Sequence, residues 1–445
     1  MKKALFWFRR DLRFEDNHAL YKALIENDEV YPFFIFDPSI LNELPSDDHR
    51  LTFIFDTLEQ LNGQLAHERP ISYFFGDPKT IIEQLLGATP GASLYLNSDY
   101  EPYARTRDKH IFDLCQQTDH LFFRLKDHVI FEQNEVAKDD GQPYVVFTPY
   151  KKKWLSEFDR SKHLPIYPSE QYLFKLKRFS KMTVGSVKKL EDFGKQRASL
   201  SAPNFNLNRE RIENYEGTRN FMEADGTTKL GTHLRFGTQS TRHIVARALE
   251  AHNSTFLSEL IWREFFQQIL WHFPKTVSQS FKPQYDRIEW RNNPTEFERW
   301  CQGTTGYALV DAGMRELNQT GYMHNRVRML TASFLCKHLL IDWRWGEAYF
   351  AKKLFDYELA SNVGNWQWAA GSGVDAAPYF RIFNPTTQIQ KFDKNLTYIK
   401  QWVPEFQELS YASPIVDHKE ARERCLSTYN QALKPNSKPS SIRRI

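Results

Sequence analysis

Residues 4–36 read ALFWFRRDLRFEDNHALYKALIENDEVYPFFIF. Two apolar, aromatic-rich runs, Ala4–Phe8 and Val30–Phe36, flank His18–Glu26, where apolar residues recur at helical spacing. Such runs read as strands buried on both faces, and a helix between two of them is the crossover of a parallel βαβ unit. Asn17 stands where that helix needs a side-chain acceptor for its first free N–H groups.

The pattern continues outward. Ile71–Phe75, Ser93–Asn97 and His120–Leu125 read as strands, and Leu51–Leu65, Pro78–Leu86 and Arg105–Gln117 as helices, with Asp77 before Pro78 as a helix start. The alternation predicts an α/β domain over 1–130, a doubly wound parallel sheet covered by helices. Over 131–207 the chain turns polar, with Lys151, Lys152 and Lys153 in a row and several prolines, and reads as a long solvated linker. Over 208–435 strand signals vanish. Arg242–Ala251, Phe256–Phe273, Ala308–Thr320, Arg326–Leu339, Glu347–Leu354 and Thr397–Trp402 carry helical spacing, so this part is expected to be all-α. Residues 436–445 read as a frayed tail.

With 41% hydrophobic and 26% charged residues, the 445-residue chain has the balance of a globular protein large enough for two or three domains. The net charge of +4 permits a polyanionic partner without demanding one. Cys115, Cys301, Cys336 and Cys425 are scattered with no CxxC pair, which argues against a disulfide framework, a zinc site or any other metal, and for a reducing compartment. The apolar run after Met1 is too short for a secretory signal and no stretch has the length of a membrane span, so a cytoplasmic protein without membrane partners is expected.

Four clusters in the helical part carry chemistry. Glu259, Trp262 and Arg263 share one helical face, offering a carboxylate, an indole and a guanidinium to a base, its ring and a phosphate. Asn325, Arg326, Arg328 and Met329 open a strongly apolar helix, and cations so placed cost desolvation unless they meet an anion. Asp356 and Glu358 precede a Gly- and Asn-rich stretch with paired tryptophans, Asn362–Gly371, a poor helix and a poor strand that reads as a ligand loop. Gly226–Gly231, with Thr227, Thr228 and Lys229, could cradle a pyrophosphate, though a plain loop is the simpler reading.

These residues carry a family resemblance. The chain resembles the photolyase/cryptochrome family over nearly its whole length, and its helical half is similar to the bacterial cyclobutane-dimer photolyases. The match runs through Thr305–Ala312, Met323–Met329, Leu340–Arg344, Asn362–Ala370 and Asp375–Gln388. It implies an enzyme: a light-driven lyase that splits cyclobutane pyrimidine dimers in DNA by electron transfer from excited reduced FAD, here expected to act as a monomer. The fold it implies is an antenna-binding α/β domain joined to an all-α FAD-binding domain. It assigns Tyr215, Thr227, Thr228, Lys229, Leu230, Gly231, Phe256, Tyr322, Arg328, Asp356, Glu358 and Asn362 to FAD, with Asn362 facing N5 of the flavin. Gly231 stands where many members have Ser, removing one hydroxyl. By the same match Glu259 and Asn325 bond the thymine edges, Trp262 and Trp368 wedge the flipped dimer, and Met329 lines its cavity. Arg219, Arg263, Arg326, Arg381 and Gln388 fall at DNA-contacting positions. Trp366, Trp343 and Trp290 match a chain that carries an electron to oxidised flavin.

A cryptochrome receptor is the alternative within the family; the chain ends soon after Trp402–Glu405, where such receptors often continue. Repair of the pyrimidine–pyrimidone photoproduct would call for paired histidines, and here His324 is followed by Asn325. Relatives that prefer single strands usually have Gln where Met329 stands. A flavoprotein reductase would need a nicotinamide site, and no GxGxxG follows a strand. For the antenna, Tyr103 and Ala104 stand where folate-binding members carry Asn-Glu, which counts against folate in that mode and leaves a deazaflavin, a flavin or no antenna open.

Overall fold

In the computed structural model, which describes residues 1–65, 71–179 and 185–434, five strands form one parallel sheet. They are β1 (Lys3–Phe8), β2 (Glu29–Phe36), β3 (Ser72–Phe75), β4 (Ser93–Asn97) and β5 (Phe122–Leu125), in the order β3-β2-β1-β4-β5. The register runs from Lys3 opposite Glu29 to Phe8 opposite Phe34. The crossovers carry α1 (His18–Glu26), α2 (His49–Gly63), α3 (Pro78–Ala88) and α4 (Pro102–Gln117). Both expected caps are made: the Asn17 side chain accepts from the Leu20 N–H at 3.2 Å, and that of Asp77 from the Thr80 N–H at 2.9 Å. The expected tail over 436–445 lies outside the described residues.

Period-two alternation along β1 divides the core. Ala4, Phe6 and Phe8 face a layer with Leu20, Leu24 and Leu58, while Leu5 and Trp7 face Ile82, Leu85 and Ile111. Strand order reverses between β1 and β4, the switch point at which open α/β sheets present their ligand crevice. There Asn97, ending β4, donates to Asp11 at 2.6 Å and to Asn17 at 2.8 Å. α5 (Thr241–Leu249) belongs to the same compact unit, and its Arg242 shares the buried Asp127 with Arg13, at 2.9 and 2.7 Å. Burial alone would raise the Asp127 carboxyl; the two guanidinium groups more than offset it and hold it far below the usual range.

The second unit comprises residues 137–153, 203–229 and 251–445. Its described elements are helical: among them α6 (Thr255–His272), α7 (Ala308–Thr320), α8 (Asn325–Ser333), α9 (Trp343–Lys353), α10 (Leu359–Ala370) and α11 (His418–Leu433). Trp300, Leu309, Met314, Val327, Phe334, Trp343 and Trp366 form its core. α10 packs between α6 and α9, the arrangement that positions the site below. The compact units do not follow the ranges expected on sequence: residues 230–250 belong with the sheet, and 131–207 is shared between the units.

Three local expectations are corrected. The stretch from Asn362 to Gly371 is not a loop but most of α10. Its weak helix formers are overridden by packing: Gly364 is required because a Cβ there would lie 2.3 Å from the Phe266 ring, and Gly371 ends the helix at φ +89°. The helix expected over Arg326–Leu339 changes at Phe334 into a π-turn, Phe334–His338. The polar linker contains a helix, Phe147–Glu157, with Phe147, Tyr150 and Trp154 buried; three lysines masked its apolar face. Helices Pro294–Gln302, Pro385–Phe392 and α11 were not anticipated. No helix among the described residues is long and apolar enough to cross a membrane.

Candidate functional site

A cavity of about 90 Å³ opens where α8, α9 and α10 converge. Its walls are Met329, Phe350, Leu354, Trp366 and Trp368; its polar edge is Asn325, Arg328, Asp356, Glu358, Ser361, Asn362 and Asn365. Helical spacing explains the edge: Glu358, Ser361, Asn362 and Asn365 recur every three or four residues along α10 and its N-cap.

Three hydrogen-bonded units hold that edge. Arg328 and Asp356 form a two-pronged ion pair at 3.1 and 2.9 Å. Glu358, nearly buried, accepts from Arg263 and Gln267, both at 3.0 Å, and from the Ser361 hydroxyl at 3.2 Å. The Asn362 amide nitrogen donates to the Glu347 carboxylate at 2.9 Å and to the Glu347 carbonyl at 3.1 Å. Burial pushes the Glu347 carboxyl up, and the bond from Asn362 partly offsets this.

α6 supplies the neighbouring residues. Phe147 stacks flat on Trp262, centroids 3.7 Å apart and planes at 11°, which fixes the indole plane. Glu259 is ion-paired with Arg219, whose guanidinium also sits 5.8 Å over the Tyr215 ring. Tyr215 in turn meets the buried Phe256 edge-on at 5.3 Å. The Thr227 hydroxyl and the Tyr322 hydroxyl lie 3.2 Å apart, and Tyr322 is flanked by Lys229 and Arg328 at 5.9 and 5.6 Å. Lys229 has φ +51°, a left-handed turn that bends the chain between Thr228 and Leu230. Thr228 and Leu230 are buried, and Gly231 begins the short helix Gly231–Phe236.

The expected DNA-contacting residues divide. Asn325 is exposed at the start of α8, its amide 4.0 Å from the Met329 sulfur. Arg326 bonds Asn220 at 2.5 Å and lies 4.5 Å over Phe392, on the helix that also carries Gln388. Burial and the nearby Arg219 both hold the Arg326 pKa below its ordinary value, so two cations face each other here. Arg381 is exposed. Arg263 is partly buried: its side chain is 12% exposed and bound to Glu358.

Of the three tryptophans, Trp366 lines the cavity, Trp343 is buried beneath Arg344, and Trp290 is half-buried against Tyr429. Among the described residues no ring contact joins the three to each other; Trp366 instead touches Trp300 at 6.1 Å and Phe350 at 5.0 Å. The sequence reading missed Glu347, Phe147, Ser361 and Asn365. The last two share a face with Asn362 and would have followed from reading α10 as a helix. Phe147 and Glu347 had no local signal, because their partners lie 115 and 15 residues away.

These residues fit FAD. A largely apolar cavity with an amide, an ion pair and two further side-chain amides on one edge suits a ring system with a polar rim, and Thr227, Lys229, Tyr322 and Arg328 form a cationic, hydroxyl-bearing group suited to phosphate.

Comparison with known proteins agrees with this geometry. Residues 4–169 match the family described as DNA photolyase, and residues 256–410 match the FAD binding domain of DNA photolyase. The deoxyribodipyrimidine photo-lyase of Vibrio cholerae is 36% identical, over 96% of this chain and 99% of its own. A bacterial class III photolyase from Agrobacterium tumefaciens superimposes with a TM-score of 0.87 at 31% identity, over 97% of this chain and 98% of that one. The archaeal photolyase of Sulfolobus tokodaii, solved with two FAD molecules, gives 0.82 at 33% identity, over 96% and 99%. With a cavity suited to FAD, and relatives above 30% identity along nearly its whole length, the chain belongs to the DNA photolyase family.

Proposed function

We propose that the cavity takes the flavin ring of FAD along its Arg328–Asn362 edge and a flipped-out pyrimidine dimer on its Asn325–Met329–Trp368 side. The observation that carries this reading is that one cavity is lined by both sets. The chain is a flavin-dependent lyase that repairs cyclobutane pyrimidine dimers in DNA with light. Bound and reduced, FAD supplies on excitation the electron that opens the cyclobutane ring and then receives it back, so no net reductant is consumed.

The protein contributes position and charge. Asn362, its nitrogen held by Glu347, offers its carbonyl oxygen as an acceptor for a flavin N–H. Arg328 with Asp356, and Glu358 held by Arg263, present matched charges to the ring edge and ribityl chain. Tyr215, Thr227–Gly231, Phe256 and Tyr322 are assigned to the rest of FAD. Trp262, kept flat by Phe147, and Trp368 sandwich the dimer, while Asn325 and Glu259 bond its edges. A backbone phosphate competes with Glu259 for Arg219, freeing the carboxylate for a pyrimidine N–H. Arg326, Arg381 and Gln388 grip the backbone around it. Trp290, Trp343 and Trp366 are assigned to electron supply, supported by the place of Trp366 in the cavity wall. The crevice between β1 and β4 is the proposed seat of an antenna chromophore.

The test is a duplex bearing one thymine dimer, incubated with the protein holding fully reduced FAD. Blue or near-UV light should restore the thymines, while dark incubation should leave binding without repair. Dimers that survive illumination would replace this reading with that of a cryptochrome.

A further inference from the structure

Lys337 is 1% exposed, on the π-turn that follows α8. Its ammonium donates to the backbone carbonyl of Arg381 at 2.9 Å and forms no ion pair with a carboxylate among the described residues. The titratable groups facing it are Cys336 and His338 of its own turn, Cys425 of α11 and Arg381. Burial keeps both thiols protonated and the imidazole neutral, so none of these is an anion. An ammonium withdrawn from water without a counter-ion is costly, and burial pushes this one down to about 8. Lys337 sits within this single π-turn, a rare interruption of an α-helix, with its ammonium on one carbonyl.

That carbonyl belongs to a short looped segment. Within it the Arg381 N–H reaches the Pro378 carbonyl at 2.9 Å and the Ile382 N–H reaches the Phe380 carbonyl at 3.1 Å. Tyr379 stacks on Tyr429 of α11 at 5.6 Å, and the Tyr429 hydroxyl donates to the Ala370 carbonyl at the end of α10 at 3.0 Å. The inner side of the segment is thus held twice, by an aromatic stack and by a buried cation, while Arg381 stands exposed on it. Tyr429 alone would hold an ordinary surface loop. A charged anchor directly behind an exposed arginine adds positive potential that a neutral donor would not, and a polyanion gains from it.

We propose that Lys337 is a positioning residue for damaged DNA, holding residues 378–382 in the conformation that presents Arg381 to the phosphate backbone and adding a buried positive charge behind it. The proposal rests on the reading of Arg381 as a backbone contact.

Lys337→Met keeps the length of the side chain and removes its charge and donors. Affinity for a dimer-bearing duplex is measured by fluorescence anisotropy for the FAD-loaded wild type, Lys337→Met, Arg381→Ala and the double variant, beside the repair rate at saturating DNA. Lys337→Met should weaken binding about tenfold, the loss of one charge-assisted hydrogen bond, with the saturating rate within about twofold of wild type. Removing Lys337 should cost less in the Arg381→Ala background than in wild type. Wild-type affinity should also fall between pH 7 and pH 9, as Lys337 loses its proton near 8, and that step should be smaller in Arg381→Ala. The pH step needs no substitution at Lys337, so it decides the matter if Lys337→Met does not fold. Unchanged affinity in a folded Lys337→Met, or a pH step undiminished in Arg381→Ala, overturns the proposal while leaving the DNA contact intact. Unchanged affinity in Arg381→Ala removes the contact itself, and the proposal with it.

Discussion

Asn362 directs its amide nitrogen at Glu347, donating to the carboxylate at 2.9 Å and to the backbone carbonyl at 3.1 Å, and among the described residues its oxygen has no hydrogen-bond partner. An asparagine can be turned either way, and Glu347, fifteen residues earlier on α9, decides that an acceptor is presented. Asn362→Ala should therefore shorten the lifetime of reduced flavin in air by about tenfold, the worth of one hydrogen bond to a buried N–H. Glu347→Gln should do so less, because its amide can turn to offer a donor or an acceptor to Asn362. The check is the rate at which oxidised-flavin absorbance returns after photoreduction; equal rates in wild type and Asn362→Ala would refute the role.

The stack of Phe147 on Trp262 predicts a specificity effect at a residue outside the cavity. Phe147→Leu keeps most of the buried volume and loses the flat aromatic contact, worth about 1 kcal/mol. Affinity for dimer-bearing DNA should fall several-fold and that for undamaged DNA should not change. Competition binding with the two duplexes gives the ratio, and equal losses would mean that the stack supports only the fold.

Arg326 and Arg381 should report on backbone contacts. Each Ala variant should weaken DNA binding and make log affinity less steep against log salt, by about one phosphate contact each. Titrations at several salt concentrations measure the slope. Slopes equal to wild type in both variants would make the arginines structural.

The relay assignment is tested by Trp343→Phe. A phenyl ring preserves packing in the core but is far harder to oxidise, so photoreduction of oxidised flavin should slow severely. Repair by chemically pre-reduced protein should continue, since it needs no electron from the chain. Loss of both activities together in a folded, FAD-replete variant would rule the assignment out.

Two buried imidazoles and one half-buried imidazole set an acid limit. Burial pushes His324 and His233 down to about 4 and His338 to about 3, below the 6.5 of an unfolded chain. As pH falls below 6.5 the unfolded state takes up protons that the folded state refuses, so stability declines from there toward 4. Buried Glu316 and Asp311, whose carboxyls burial raises, act in the opposite sense over the acidic part of that window and moderate the slope. His338→Asn should flatten the decline, by up to about 3 kcal/mol at pH 4. Urea midpoints at pH 7, 5.5 and 4.5 provide the comparison.

Much of this is legible in the sequence. The strands over residues 4–125 were found nearly to the residue, because a parallel sheet buried on both faces demands continuous apolar runs, and those runs are local. Both helix caps at Asn17 and Asp77 were likewise local, a side chain bonding the backbone three residues on. The site residues came from motif likeness, and the cavity gathers Asn325, Arg328, Met329, Asp356, Glu358, Asn362, Trp366 and Trp368 from that set.

The tertiary structure decided the rest. α10 is helical despite its Gly and Asn residues because it packs between α6 and α9, and Gly364 is needed there to admit the Phe266 ring. Arg263 faces inward because Glu358 neutralises it there, whereas its place on α6 alone would have allowed solvent. Glu347 and Phe147 gained their roles from partners that no window of sequence includes. Sequence by itself determined which segments become strands and helices, since backbone propensity, capping and periodicity act over a few residues. Which side chains meet, and so which atom Asn362 offers to the cavity, depends on packing between distant helices, and only the folded chain supplies that.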